Sequence, residues 1–302
     1  MMTGENKGTE NVLITSASAL KSFLAHFTYK NIPDTKTSRT PEKIKVFISD
    51  PKALFRDGLH FIISREEDLE VTGKSTSNEE AFALIELNPP NVAILSMIDS
   101  KFNGPEITCR IKINLPSVSV ILTMDENNDE QVFAAIKSGA SACLTKDTKP
   151  EFLLSTIRLV ALGGQPIIKA LLIPELALRI LIEFEDFAVL SDQLNHVLAH
   201  LTRNEAEVLN CIRRSKGIRQ VAAGLKTDEE TIQRYLEMIL TKLVANDRAR
   251  AAIEATQQSL FAMKARTVKS SKIPADYVTR EEFIKFEESL MERLKSLTGK
   301  SA

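Results

Sequence analysis

Hydrophobic and polar residues are arranged in two different ways along this chain. Between residues 43 and 164, short apolar clusters rich in β-branched residues (KVFIS, EVTG, VAILSM, VSVILT and ACL) recur about every 22 to 26 residues. Stretches in which apolar residues return at helical spacing separate them. The pattern predicts strands at 45–49, 70–73, 92–97, 118–123 and 142–144, and helices at 54–64, 78–87, 104–113, 130–138 and 150–162. Five βα units in series build an α/β domain whose five-stranded parallel sheet is covered on both faces, and the flavodoxin-like order is the usual outcome. Such a sheet keeps its chemistry at the carboxyl ends of its strands, where Ser49, Asp50, Pro51, Ser96, Thr123 and Lys146 fall.

From about residue 201 the strand signal gives way to helical spacing. Thr202 and Glu205 form a capping box, Val208, Leu209 and Ile212 share one face, and Val221, Ala222 and Leu225 share the next. A turn at 226–228 precedes a third helix, 229–243, with the apolar stripe Ile232, Leu236, Ile239, Leu240 and Leu243. Two short helices, a tight turn and one solvent-facing polar side constitute a helix-turn-helix pattern in an all-α domain.

The remaining segments connect or flank these two. Residues 1–42, rich in Ser, Thr, Asn and Lys, read as a flexible arm. The α/β domain spans 43–164, a helical connector 165–200, and the helix-turn-helix domain 201–262. A basic linker containing KARTVKSSKIP occupies 263–278. A C-terminal amphipathic helix, 279–298, starts with a capping box from Thr279 to Glu282 and aligns Phe283, Phe286, Leu290, Leu294 and Leu297. An apolar stripe of that length on a short helix must bury itself; pairing with a second copy in a homodimer is the expected solution, and packing back onto the helix-turn-helix domain is the alternative.

Composition narrows the function classes. The 302 residues include 39 Lys and Arg against 40 Asp and Glu, so a surface cationic throughout is excluded and a local basic face is not. Cys109, Cys143 and Cys211 are too far apart for a CxxC site and too few for a disulfide framework, which suits a reducing cytoplasm. The apolar run at 11–27 is interrupted by Ser, Thr, Lys21 and His26, and no stretch approaches the roughly 18 residues of a membrane span. A cytoplasmic protein with no membrane partner is expected, a signal peptide being the weaker alternative. His196 and His200 have helical i, i+4 spacing without a third ligand nearby, so no metal is expected. The chain has no Gly-rich phosphate loop, nucleophile elbow or HExxH, and neither a cofactor nor an enzymatic activity is anticipated.

The segments VFISDPKALFRDGL, NVAILSMIDSKFNG and VSVILTMDENNDEQVFAAIKSGASACLTKD resemble the receiver domain of bacterial two-component response regulators, over about 43–164. The block LTRNEAEVLNCIRRSKGIRQVAAGLKTDEETIQRYLEMILTKLVANDRARAAI resembles the four-helix DNA-binding domain of the LuxR type, which follows a receiver in regulators of the NarL and FixJ type. The resemblance implies a pocket in which paired acids after the first strand and an aspartate ending the third hold Mg²⁺, that aspartate accepting a phosphoryl group. RDGL and Gly104 align Asp50 with the first acid, Pro51 with the second and Ser96 with the acceptor, while Thr123 and Lys146 match the remaining two positions. Two of three carboxylates are missing. A pseudo-receiver is therefore expected, with Lys146 free to pair with Asp50.

In the second domain, Arg213, Arg214, Lys216 and Arg219, just before or in the preceding helix, can supply backbone contacts, and Gln233 and Arg234 remain usable base readers, although relatives usually place a basic residue where Gln233 stands; Thr231 and Lys242 fit the pattern. Glu229, Glu230 and Glu237 depart from it, since carboxylates repel phosphates. The expected function is a DNA-binding transcription regulator whose receiver docks a regulatory protein or dimerises. The alternative is an interaction protein that does not bind DNA and scaffolds or titrates other regulators.

Overall fold

The computed structural model describes residues 42–98, 103–193, 198–214 and 217–269, together with 284–285, 287–289 and 291–292. The chain divides into two compact units, 1–176 and 177–302. The first holds strands β1 (Ile44–Ser49), β2 (Leu69–Ser75), β3 (Val92–Ser96), β4 (Ser119–Met124) and β5 (Ala142–Thr145). All pair in parallel, in the order β2-β1-β3-β4-β5. Helices α1 (Ala53–Ser64), α2 (Asn78–Leu87), α3 (Gly104–Asn114) and α4 (Asp129–Ser138) connect them, and α5 (Pro150–Ala161) follows β5. Every residue of β3 and β4 is buried, which is why both read as unbroken apolar runs instead of alternating ones. One face of the sheet packs Val46, Ile48, Ile94 and Ile121 against Leu59 and Ile63 of α1 and Ile157 and Val160 of α5. Gly104 lets α3 start against the end of β3, since a Cβ there would collide with the Ser96 carbonyl oxygen.

The second unit holds most of α6 (Pro174–Gln193), then α7 (Arg203–Arg214), α8 (Ile218–Gly224) and α9 (Glu229–Lys269). The connector expected at 165–200 does not behave as one element. Its first part, a 3₁₀ helix at Pro166–Leu172, belongs to the first unit, where Ile167 N–H donates to Ser141 O at 3.1 Å. From Ala177 onward, α6 belongs to the second unit and buries Ile180, Phe184 and Phe187. Arg250 ties it to α9 through Glu183 at 2.9 Å and lies 5.3 Å above the Phe187 ring.

The end of the third helix also differs from expectation. The sequence pattern places it at residue 243 with a linker from 263, but α9 runs for 41 residues, about 60 Å, through Lys269. No Gly or Pro interrupts this stretch, and the buried stripe of Ile232, Leu236, Ile239 and Leu243 continues through Asn246, Ala249 and Ile253. Asn246 is fully buried, and its amide pairs with both main-chain groups of Ala199, donating to O and accepting from N–H at 2.8 Å each. The incoming chain is thus fastened to the helix three residues beyond its expected end. The N-terminal arm to residue 41 and all five apolar positions of the C-terminal helix lie outside the described residues. Among the described residues, no single helix is long and apolar enough to cross a membrane.

Asn246→Ala leaves the Ala199 N–H and carbonyl without their partner. The expected loss is about 1–2 kcal/mol, read as a lower urea midpoint for the transition of the helical unit.

Candidate functional site

The carboxyl ends of β1 and β3 lie side by side where the strand order reverses, the position at which such sheets form a crevice. Asp50 follows β1 and is 1% exposed; Ser96 ends β3 at 2% and Thr123 lies in β4 at 3%. Both Asp50 carboxylate oxygens are engaged. Oδ1 accepts from Lys52 N–H at 2.8 Å, and Lys146 Nζ stands 2.7 Å from Oδ2. Pro51 is exposed and has no side-chain donor or acceptor. Ser96 Oγ donates to Ile98 O at 3.0 Å, and Thr123 Oγ1 donates to Leu95 O at 3.3 Å. Ser49 Oγ donates to Asn78 Oδ1, whose amide donates in turn to Ser96 O at 2.9 Å. Mg²⁺ demands near-octahedral oxygen ligation, and one carboxylate already met by an ammonium, beside hydroxyls turned to the main chain, does not fit it.

Asp125, in the loop after β4, completes this cluster. Its Oδ1 lies 2.7 Å from Lys52 Nζ and 3.4 Å from Lys146 Nζ, so two lysines and two aspartates alternate over the crevice. The Lys52 hydrogen bond, aided by the charge of Lys146, holds the Asp125 carboxyl below the ordinary carboxylate range. Lys52 and Asp125 are 73 residues apart, and no local signal joins them. Beside the cluster, Leu54, Phe55, Leu59, Leu144 and Leu153 line a hollow of about 210 Å³ together with Thr123 and Lys146. On α1, Leu54 and Phe61 are 89% and 61% exposed. The Cys143 thiol is pushed up to about 12 by burial, which leaves it protonated and inert at neutral pH.

In the second unit α8, a short turn and α9 form the helix-turn-helix, with Lys226 in the left-handed region at φ 52° within the turn. Asp228 caps α9. Its Oδ1 accepts from Thr231 N–H at 2.6 Å and its Oδ2 from Thr231 Oγ1 at 3.1 Å, and the Thr231 N–H bond holds its carboxyl low. Arg234 Nη2 donates to Thr231 Oγ1 at 3.0 Å, and Gln233 Nε2 to Glu237 Oε1 at 3.4 Å. Arg213 and Arg214 are exposed in the last turn of α7, while Arg219 is exposed and paired with Glu229 at 3.2 Å. Lys216 lies outside the described residues. Lys242 is not part of this outer face. Its ammonium reaches both oxygens of the fully buried Glu205, at 2.7 and 2.9 Å, and His200 O at 3.1 Å. Glu205 also closes the capping box with Thr202, accepting from Thr202 N–H at 2.7 Å. The Lys242 charge is consumed inside the domain because a carboxylate shut away from water requires a cation.

Residues 46–158 match the model of the response regulator receiver domain, and residues 199–255 that of bacterial regulatory proteins of the luxR family. The transcriptional regulatory protein DegU of Brevibacillus brevis is 30% identical over 223 residues, covering 70% of this chain and 92% of that protein. The uncharacterized transcriptional regulatory protein YhcZ of Bacillus subtilis (strain 168) is 27% identical over 217 residues, 72% of this chain and 97% of its own. The response regulator protein VraR of Staphylococcus aureus (strain Mu3) is 25% identical over 218 residues, 72% of this chain and 99% of its own. Both units are matched, in one order, by proteins that are covered almost end to end; the chain belongs to the LuxR family of response regulators, DNA-binding transcription factors with a receiver domain followed by a luxR-type domain.

Proposed function

We propose that this regulator acts in the cytoplasm as a homodimer whose receiver is a pseudo-receiver, set by abundance or by a protein partner and not by aspartyl phosphorylation. The observation that supports this is the Lys146 ammonium 2.7 Å from Asp50, beside a proline and a serine where the resemblance calls for two more acids. In-line phosphoryl transfer needs a carboxylate nucleophile and cations that neutralise the moving charge. In this pocket the cations Lys52 and Lys146 are spent on Asp50 and Asp125, and the serine hydroxyl is turned to Ile98 O. The exposed Leu54 and Phe61 on α1 give a protein partner an apolar foothold. DNA is held by few phosphate contacts, from Arg213, Arg214, Lys216 and Arg219, with Gln233 and Arg234 facing the bases; Lys242 takes no part. The alternative, a regulator-binding protein that has lost DNA affinity, draws support from the carboxylates on the outer face of α9.

Three outcomes are expected. Incubation with a small phosphodonor leaves the pocket unmodified by mass spectrometry, and Ser96→Asp alone does not change that because Pro51 still withholds the second acid. An acid-labile phosphate on the unaltered chain overturns the pseudo-receiver. Specific DNA binding weakens with salt at a log-log slope of roughly −3 to −4, about 0.9 per neutralised phosphate, and replacing Arg213 and Arg214 together by Ala weakens all sequences alike. Ending the chain before Pro274 removes the apolar stripe and halves the mass seen by light scattering at micromolar concentration; an unchanged mass removes the C-terminal helix as the dimer contact.

A further inference from the structure

The solvent face of α9 is unusual for a surface that approaches DNA. Glu230, Arg234, Glu237 and Thr241 are exposed and Gln233 is partly so. At 100° per residue these five fall within an arc of about 100°, opposite the buried Ile232, Leu236 and Leu243. The arc carries one cation and two carboxylates, so it cannot draw its affinity from phosphates. A carboxylate facing DNA is tolerated where it meets a donor. In the major groove the cytosine N4 amino group is such a donor, whereas guanine offers the acceptors O6 and N7. Adenine also presents an amino group, but its N7 acceptor lies alongside and would repel a carboxylate.

Glu230 and Arg234 are one helical turn apart, so their Cβ atoms are about 5–6 Å from each other on the same side. An acceptor and a forked donor at that separation match the two halves of one C·G pair. We propose that Glu230 accepts from cytosine N4–H while Arg234 donates to O6 and N7 of the paired guanine, making this pair of residues a specificity determinant for C·G. The claim rests on the DNA-binding reading of the domain. The structure holds Arg234 ready for this role. Asp228 fixes Thr231 through two bonds and Thr231 accepts from Arg234 Nη2 at 3.0 Å, so the guanidinium bonds Thr231 and has no bond to Glu230. A donor already ordered before contact loses less entropy on binding. Glu230 contributes chiefly by exclusion: its charge lowers affinity for every sequence and lowers it least where a cytosine amino group answers it.

The test uses the full chain and a pool of random DNA duplexes, with selection at low and at physiological salt. The expected product is a motif with an invariant C·G pair, at which T·A or A·T costs roughly tenfold in affinity. Glu230→Gln keeps the size and removes the charge, and a glutamine reads adenine N6 and N7. This variant is expected to admit adenine beside cytosine at that one position, where Arg234 still favours the paired guanine, while total affinity rises. Glu207→Gln, which removes the same charge from the exposed side of α7, should leave the base preference where it was. Glu230→Ala serves as a second variant and should weaken the preference to the part that Arg234 holds through the paired guanine, without admitting adenine. If Glu230→Gln and Glu230→Ala discriminate against T·A and A·T at that position as strongly as the unaltered chain, the assignment of Glu230 fails while DNA binding stands. If no duplex is retained even at low salt, the DNA-binding reading fails, and this inference with it.

Discussion

Each unit is organised around one carboxylate that has been taken out of water and must be met by a cation. In the receiver it is Asp50, 1% exposed and answered by Lys146; in the helical unit it is Glu205, fully buried and answered by Lys242. Leaving either charge unanswered would cost several kcal/mol, so the lysines are held as firmly as the acids. Both pairs bridge elements distant in sequence. Lys146, just after β5, is brought to the end of β1, and Lys242 of α9 is brought to the first turn of α7. The two charges the sequence offers most readily to an anionic ligand are therefore the two least able to leave their places.

That constraint explains the character of both faces. At the sheet crevice Asp50 is met by Lys146, and Asp125, in the loop after β4, extends the ion-pair cluster to Lys52. On the helical unit, the loss of Lys242 to the interior leaves the outer side of α9 with Arg234 as its cation among the five residues of the arc. The exposed cations Arg213, Arg214 and Arg219 lie on α7 and α8 instead.

Much of the α/β unit was legible because fully buried parallel strands produce β-branched runs at regular intervals, and β1 to β5 begin within a residue of the expected positions. The pairing of Lys146 with Asp50 was within reach for a similar reason: both stand at carboxyl ends of strands, which the topology brings together. The pairing of Lys242 with Glu205 was not legible because helical spacing shows which side of a helix a residue occupies but not whether a partner from another helix is waiting there. The role of Asp125 was invisible, since its partners lie in other loops. The length of α9 was missed on account of the four-helix template, although the absence of Gly and Pro and the continued stripe through Ala249 and Ile253 were present in the chain.

The unbroken α9 has a consequence for how this protein can vary. A loop between two helices absorbs an added or deleted residue at little cost, but a helix converts it into a rotation of about 100° of everything beyond. One insertion between Leu243 and Ala249 would swing Ala249 and Ile253 off the side that buries them and carry Arg250 away from Glu183. Substitutions along this stretch are cheap by comparison, so related chains that share the continuous helix should differ here in letters and not in length, or else by about seven residues at a time.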